Sequence, residues 1–143
     1  MFYLDASVVV ANVIAEPFTH VVRDWWKAQP PETLAFSSWT LTETASALSM
    51  KVRRRDIEDS QRIEAQRFVR AMQNSFVRNP IDETHFLVAR RFADQPSIGL
   101  RAGDALHVAI AADYEQTLVT LDRAMAESAR LIGLDVLSLL PEG

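Results

Sequence analysis

The sequence predicts an α/β fold in which a short, mainly parallel sheet is covered by helices on both faces. Short apolar runs that fit buried strands alternate along the 143 residues with longer segments of helical periodicity. The four glycines and six prolines lie mainly between these segments and separate them. Because a chain of this length can enclose one hydrophobic core, we expect a single domain over residues 1–143.

Composition and charge exclude several classes of protein. Hydrophobic residues make up 48% of the chain, which argues against disorder. No apolar run approaches the roughly 20 residues that span a bilayer, and the first residues lack the basic region of a signal peptide. We therefore expect a cytoplasmic protein without membrane contact. The absence of cysteine fits a reducing cytoplasm and excludes disulfides and thiolate zinc sites. With a net charge of −4, binding to phosphates would require a local basic patch or a bound cation.

In the first quarter of the chain, flanking residues set the limits of the elements. The predicted elements are a strand over residues 1–4, helices over 8–15 and 19–28, and a strand over 34–36. The first strand stops at Asp5, and Ser7 is placed to cap the first helix. Pro17 ends that helix, because the residue before a proline disfavours the helical region.

Two adjacent tryptophans, Trp25 and Trp26, lie in the second predicted helix. Neighbouring helical residues point about 100° apart, so both rings cannot enter the same part of the core. One interpretation places one ring in the core and the other at its boundary. The other makes the pair part of a groove for a binding partner.

The third predicted helix begins with Thr40 and runs to about Val52. Thr40 and Glu43 have the spacing of a capping box, with Thr40 as the N-cap and Glu43 three residues later, which offers a structural explanation for Glu43. The end of this helix carries a basic cluster that consists of Lys51, Arg53, Arg54 and Arg55. The cluster fits a helix C-terminus, where cations are favourable, or a contact with nucleic acid. Asp56 is the predicted cap of a helix over 57–74.

The second half continues the alternation of strands and helices. Its predicted elements are a strand at 76–77, helices over 82–93 and 100–113, a strand over 117–120, a helix over 123–131 and a strand at 136–137. Asp104 lies near the start of the helix over 100–113, where backbone N–H groups and the helix dipole favour an ionised carboxylate. Asp104 is thus either a helix cap or a functional acid.

Four acids, Asp5, Glu43, Asp104 and Asp122, occupy comparable places in this arrangement. Asp5 and Asp122 follow apolar strands, and the carboxyl ends of parallel strands line the ligand crevice. Glu43 and Asp104 are predicted in the first turns of helices, which open at the same edge. We therefore expect the four carboxylates to converge.

Converging carboxylates repel one another unless a cation is present. An all-oxygen site suits Mg²⁺ or Mn²⁺, and such an ion can polarise a water and neutralise a phosphodiester. Ser7, two residues after Asp5, is placed either to cap its helix or to donate a hydrogen bond to a carboxylate or phosphate.

These acids lie in motifs that resemble the PIN-domain ribonucleases, and most closely the VapC-type toxins of toxin–antitoxin pairs. The matching segments are Tyr3-Leu4-Asp5-Ala6-Ser7, Leu41-Thr42-Glu43, Leu100-Arg101-Ala102-Gly103-Asp104-Ala105-Leu106-His107-Val108-Ala109 and Val119-Thr120-Leu121-Asp122. Their order and spacing resemble the family across nearly the whole chain. The segment around Asp104, combined with the other acids, is the most specific. Ala6 departs mildly from the threonine of many relatives.

The resemblance implies a three-layer α/β/α sandwich and metal-dependent endonucleolytic cleavage of RNA. It assigns metal-site roles to Asp5, Glu43, Asp104 and Asp122, with Ser7 in support. It also implies a homodimer and a VapB-type antitoxin that covers the site. His107 matches the motif as well, although a lone histidine one turn after an acid is more often structural. His20 and His85 have no functional partner that the sequence identifies.

Three other functions compete with this interpretation. An aspartyl phosphotransferase would need an aspartate where Ser7 stands. A receiver-type phosphoacceptor domain would need paired acids after the first strand and a late lysine, whereas no lysine follows Lys51. A non-catalytic RNA- or partner-binding module is the main alternative, although pure binding would favour basic residues at the four acidic positions. Dependence on a divalent ion separates this alternative from a nuclease.

Overall fold

The computed structural model describes residues 1–142, in which five parallel strands form one sheet in the order β3-β2-β1-β4-β5. The strands are β1 (Phe2–Leu4), β2 (Leu34–Phe36), β3 (Val77–Arg78), β4 (Thr117–Thr120) and β5 (Val136–Ser138). Each is short and lies close to its predicted position. The predicted parallel sheet is therefore confirmed.

Helices connect the strands, since parallel neighbours need long crossovers. Within residues 1–142 they are α1 (Ala6–Val13), α2 (Thr19–Lys27), α3 (Ser38–Arg53), α4 (Asp59–Met72), α5 (Glu83–Ala93), α6 (Ala102–Asp113) and α7 (Arg123–Ile132). No helix of these residues is long and apolar enough to cross a membrane.

The core lies on both faces of the sheet because alternate strand residues point in opposite directions. Tyr3 and Leu118 face one side and are buried together with residues of α5, α6 and α7. Leu4, Phe36 and Val119 face the other side and are buried with residues of α1, α2 and α4. The two buried clusters form the predicted α/β/α sandwich.

The chain order of the strands reverses at the centre of the sheet. From β1 the chain adds β2 and β3 on one side, and it then adds β4 and β5 on the other side. Connections that start at β1 and β4 consequently diverge, and a crevice forms at their carboxyl ends. Asp5 and Asp122 follow these two strands, as the sequence predicts.

The structure corrects three predicted helix starts. Asp5, rather than Ser7, caps α1, since its carboxylate accepts the Val8 N–H. Ser37, rather than Thr40, caps α3. It follows β2 directly, and it forms the capping box with Thr40 itself. The N-cap therefore lies three residues earlier than predicted, and Glu43 takes no part in the cap.

The start of α4 also differs from the prediction. Asp56 belongs to the end of α3, because its N–H donates to the Lys51 carbonyl while Arg55 adopts the left-handed region at φ 64°. These contacts close α3 in the manner of a Schellman turn. Glu58 then caps α4 reciprocally with Gln61.

Candidate active site

Asp5 is the most buried acid of the site, with 2% of its surface exposed. Its carboxylate accepts hydrogen bonds from the Val8 N–H at 3.2 Å, the Ser7 hydroxyl at 2.6 Å and the Thr120 hydroxyl at 2.5 Å. Burial raises the pKa of Asp5 above its ordinary value, while the nearby His107 and the hydrogen bonds act in the opposite direction. Asp5 is thus held in one orientation at the end of β1.

Ser7 and Thr120 connect the ends of β1 and β4. Ser7 donates to Asp5 and accepts the Leu121 N–H at 2.9 Å. Thr120 donates to the other oxygen of Asp5 and accepts the Asp122 N–H at 2.9 Å. The two hydroxyl groups therefore tie the Asp5 and Asp122 segments together. Ser7 lies inside α1 and supports Asp5 instead of capping the helix.

Asp122 and Asp104 share one cavity of about 300 Å³. Asp122 is the N-cap of α7 and accepts the Met125 N–H at 2.9 Å. Asp104 lies in the first turn of α6, whose N-cap is Arg101, so Asp104 is not the cap. The cap interpretation of Asp104 is therefore wrong, and its carboxylate lines the cavity instead.

Burial and electrostatic repulsion both act on Asp104. Burial and the negative charges of Asp122, Glu43 and Asp5 raise its pKa from 3.8 to about 6, against a smaller effect of His107. All three other predicted acids thus lie near enough to act on this carboxylate. The structure gathers the four predicted acids at one edge of the sheet.

Glu43 lies in the second turn of α3, whereas the sequence predicted it in the first turn. One carboxylate oxygen, Oε1, contacts Nε2 of the buried His107. The other oxygen, Oε2, lies 3.7 Å from the place that a Cβ on Gly103 would occupy. Glu43 therefore directs one oxygen at His107 and the other toward the start of α6. Trp39 reinforces this approach, since its indole N–H donates to the Gly103 carbonyl at 3.0 Å.

Three polar residues around the acids have contacts that the sequence interpretation missed. Tyr3 is fully buried, and its hydroxyl lies 2.8 Å from Nδ1 of His107. His107 links Tyr3 to Glu43, and Thr120 binds Asp5. The sequence could have identified Thr120, because a hydroxyl at the end of a strand, two residues before Asp122, faces the crevice. Nothing in the sequence identifies His107 as the partner of Tyr3.

The donor set fits a hard divalent cation, since its side chains are carboxylates and one of them is destabilised by like charges. Within residues 1–142, however, no three His, Asp or Glu side chains are already arranged around one ion-sized point. Asp5 and Asp122 accept local hydrogen bonds instead, and Glu43 contacts His107. This arrangement suits Mg²⁺, which keeps several waters and needs only one or two direct carboxylates.

The remaining candidates lie apart from the acids or in structural contacts. Trp25 packs edge-on against Phe2, and Trp26 lines a groove of about 890 Å³ between α1, α2 and α4. In the basic cluster, Lys51 pairs with Glu16 at 2.6 Å, and the three arginines are exposed. His85 is buried and pairs with Asp113 at 2.9 Å.

Comparison with known proteins gives a family match and several similar structures. The family model of the PIN domain matches residues 2–131. No curated protein matches the chain in sequence. FitAcB from Neisseria gonorrhoeae is similar in structure with a TM-score of 0.72 and 16% identity, over 97% of this chain and 98% of that chain.

Two further solved structures are similar to this chain. VapC20 from Mycobacterium tuberculosis, described as a toxin that cleaves the sarcin-ricin loop, has a TM-score of 0.71 and 14% identity, over 94% of this chain and 96% of that chain. VapBC2 from Rickettsia felis, bound to a DNA fragment from its promoter, has a TM-score of 0.70 and 17% identity, over 96% and 98%. These similarities extend over almost the whole chain.

Proposed function

The chain belongs to the PIN domain family, and from this we propose that it is a metal-dependent endoribonuclease that acts as the toxin of a type II toxin–antitoxin pair. The observation that carries the proposal is the group of four acids at the switch point of the sheet, where burial and repulsion together raise the pKa of Asp104 to about 6. A bound cation relieves that repulsion. The similar structures of toxins and toxin–antitoxin complexes support the same class of protein.

We assign each acid a part in the proposed metal site. Asp104 and Asp122, which share the cavity, would hold Mg²⁺ or Mn²⁺. Such an ion supplies a polarised water and neutralises charge on a phosphodiester. Glu43 directs its free oxygen toward the same region, and Asp5 anchors the ends of β1 and β4. Ser7 fixes the orientation of Asp5.

Partners follow from the same proposal. We expect a VapB-type antitoxin and a homodimer, and a cytoplasmic location where RNA is encountered. The groove beside Trp26 is the candidate antitoxin site, because it is apolar and because Arg23 and Lys27 line it. Such a lining suits an apolar segment with acidic flanks. Solved complexes of FitAB and VapBC2 with DNA provide the precedent for a partner.

The alternative function is a non-catalytic RNA- or partner-binding module. The observation that favours it is that the carboxylates of residues 1–142 do not form a ready group of three metal ligands. A binding module would bind RNA equally well with and without a divalent ion.

Cleavage of RNA with and without a divalent ion tests the proposal. The purified protein should cut a transfer or ribosomal RNA with Mg²⁺ or Mn²⁺ and should stop cutting in EDTA. Asp104→Asn should abolish cutting. Asp135→Asn is the matched control, because Asp135 is exposed and precedes β5 at the opposite edge of the sheet. Equal cutting in EDTA, or full activity of Asp104→Asn, would contradict the assignment.

A further inference from the structure

The contact between Glu43 and the buried His107 continues into the protein through Tyr3. His107 is 1% exposed and Tyr3 is fully buried. Nδ1 of His107 lies 2.8 Å from the Tyr3 hydroxyl, which lies 2.7 Å from the Ser37 hydroxyl. Four side chains thus form one chain of hydrogen bonds, and they come from β1, from α6, from the second turn of α3 and from the N-cap of α3.

The donor at the Glu43 contact follows from the chemistry of the two groups. A carboxylate oxygen can only accept, so Nε2 of His107 carries the proton that Oε1 of Glu43 accepts. In this tautomer of the neutral ring, Nδ1 accepts from the Tyr3 hydroxyl. The Tyr3 oxygen also lies within hydrogen-bond distance of the Ser37 and Thr40 hydroxyls.

We propose that His107, set by Tyr3, is a positioning residue that holds Glu43 by one oxygen so that the other faces the start of α6. The proposal rests on the proposed metal-dependent function, since Glu43 is there a metal-site acid. Oε2 is the oxygen left over, and it lies beside Gly103, one residue before Asp104. Acidic ligands are commonly fixed by such outer hydrogen bonds, and their loss typically weakens metal binding by roughly 10–100-fold.

Gly103 belongs to the same arrangement. A Cβ at this position would lie 3.3 Å from the Trp39 ring and 3.7 Å from Oε2 of Glu43. Without a side chain at Gly103, α6 approaches α3 closely enough for His107 to reach Glu43. His107 and Gly103 therefore act together to bring Glu43 beside Asp104.

The first test is the dissociation constant for Mn²⁺ alone, measured on the full chain by electron paramagnetic resonance of the free ion. His107→Leu should weaken Mn²⁺ binding about tenfold or more, and His107→Gln, which returns an N–H donor, should recover part of the loss. In a Glu43→Ala background, His107→Leu should have no further effect, because its action passes through Glu43. A purely structural histidine would weaken binding equally in both backgrounds, and that result would overturn the proposal.

Two measurements cover the case in which His107→Leu does not fold. Tyr3→Phe keeps the buried ring and removes only the hydroxyl, and it should weaken Mn²⁺ binding several-fold. Unchanged Mn²⁺ binding in this variant would refute the proposal that Tyr3 sets the position of His107. Long-range ¹H–¹⁵N spectra of the wild-type protein should show His107 with its proton on Nε2, and a proton on Nδ1 alone would also refute it. Neither measurement requires RNA, so failure of the nuclease function would be recognised separately by the absence of cutting.

Discussion

Asp104→Asn should stabilise the metal-free protein, because asparagine has nearly the shape of aspartate but carries no charge. The pKa of Asp104 rises from 3.8 to about 6 in the folded protein. The native state therefore favours the protonated acid, and the stability that this provides is complete below about pH 4 and lost as the pH rises through about 6. At pH 7.5 the wild type carries the full unfavourable charge interaction.

The size of the effect follows from the same values. This rise in pKa means that folding disfavours the ionised form of Asp104 by about 3 kcal/mol, at about 1.36 kcal/mol per pKa unit. Asp104 is only half-buried, so solvent screening reduces the expected gain to about 1–2 kcal/mol. For a domain of this length, the melting temperature of Asp104→Asn should exceed that of the wild type by about 3–6 °C in EDTA at pH 7.5. At pH 4 the difference should vanish.

Addition of metal should reverse the order of the two proteins. Mn²⁺ at about 100 times its dissociation constant should stabilise the wild type by about 2.7 kcal/mol. Asp104→Asn should lose most of this gain, as should Asp5→Asn and Asp122→Asn, and Glu43→Gln should lose part of it. The assay is a thermal melt with EDTA and with a Mn²⁺ series, and Asp135→Asn should behave as the wild type throughout. The reasoning is refuted if saturating Mn²⁺ does not change the melting temperature of the wild type. It is also refuted if Asp104→Asn is no more stable than the wild type in EDTA.

Three further predictions concern the cell, the basic cluster and the hydroxyl groups. Expression without an antitoxin should arrest growth, and Asp104→Asn should relieve the arrest at equal levels of folded protein; harmless wild type would contradict the toxin proposal. Neutralising Arg54 and Arg55 should weaken RNA binding and reduce the slope of log affinity against log salt by up to about 1.4; an unchanged slope would leave the cluster as a solvated helix end. Thr120→Val removes a donor to the buried Asp5 and should lower stability by about 1–3 kcal/mol in urea unfolding; an unchanged midpoint would show that this hydrogen bond contributes little.

Much of the fold was predictable because it depends on local patterns. The strands at 34–36 and 117–120 coincide with β2 and β4, since short apolar runs with clear flanks leave little choice of limits. The helix around Asp104 was predictable from apolar residues at helical spacing, although residues 105–111 are all buried and the helix has no single apolar face. The convergence of acids was predictable from topology alone, because residues that follow parallel strands share one edge.

Errors arose where two residues competed for the same local role. Ser37 and Thr40 both have the chemistry of an N-cap, and a strand that ends at residue 36 leaves both of them available for that role. The wrong choice gave Glu43 a capping role that it does not have. The contacts of Thr120 with Asp5 and of Tyr3 with His107 join residues 115 and 104 positions apart, so no local pattern pairs them. The end of β4 places Thr120 at the crevice, but it does not identify Asp5 as its partner.

The central position of β1 also determines when during synthesis the site can form. Asp5 is synthesised long before β4 and Asp122, because synthesis proceeds from residue 5 toward residues 117–122. Until residues 117–122 are available, β1 lacks a neighbour on one side, and Asp5 lacks the Thr120 hydroxyl that holds it. A nascent chain therefore holds most of its helices before it holds any site. The proposed site therefore forms only after residues 117–122 are synthesised, and by then the helices α1, α2 and α4, which form the groove for the proposed antitoxin, have already been made.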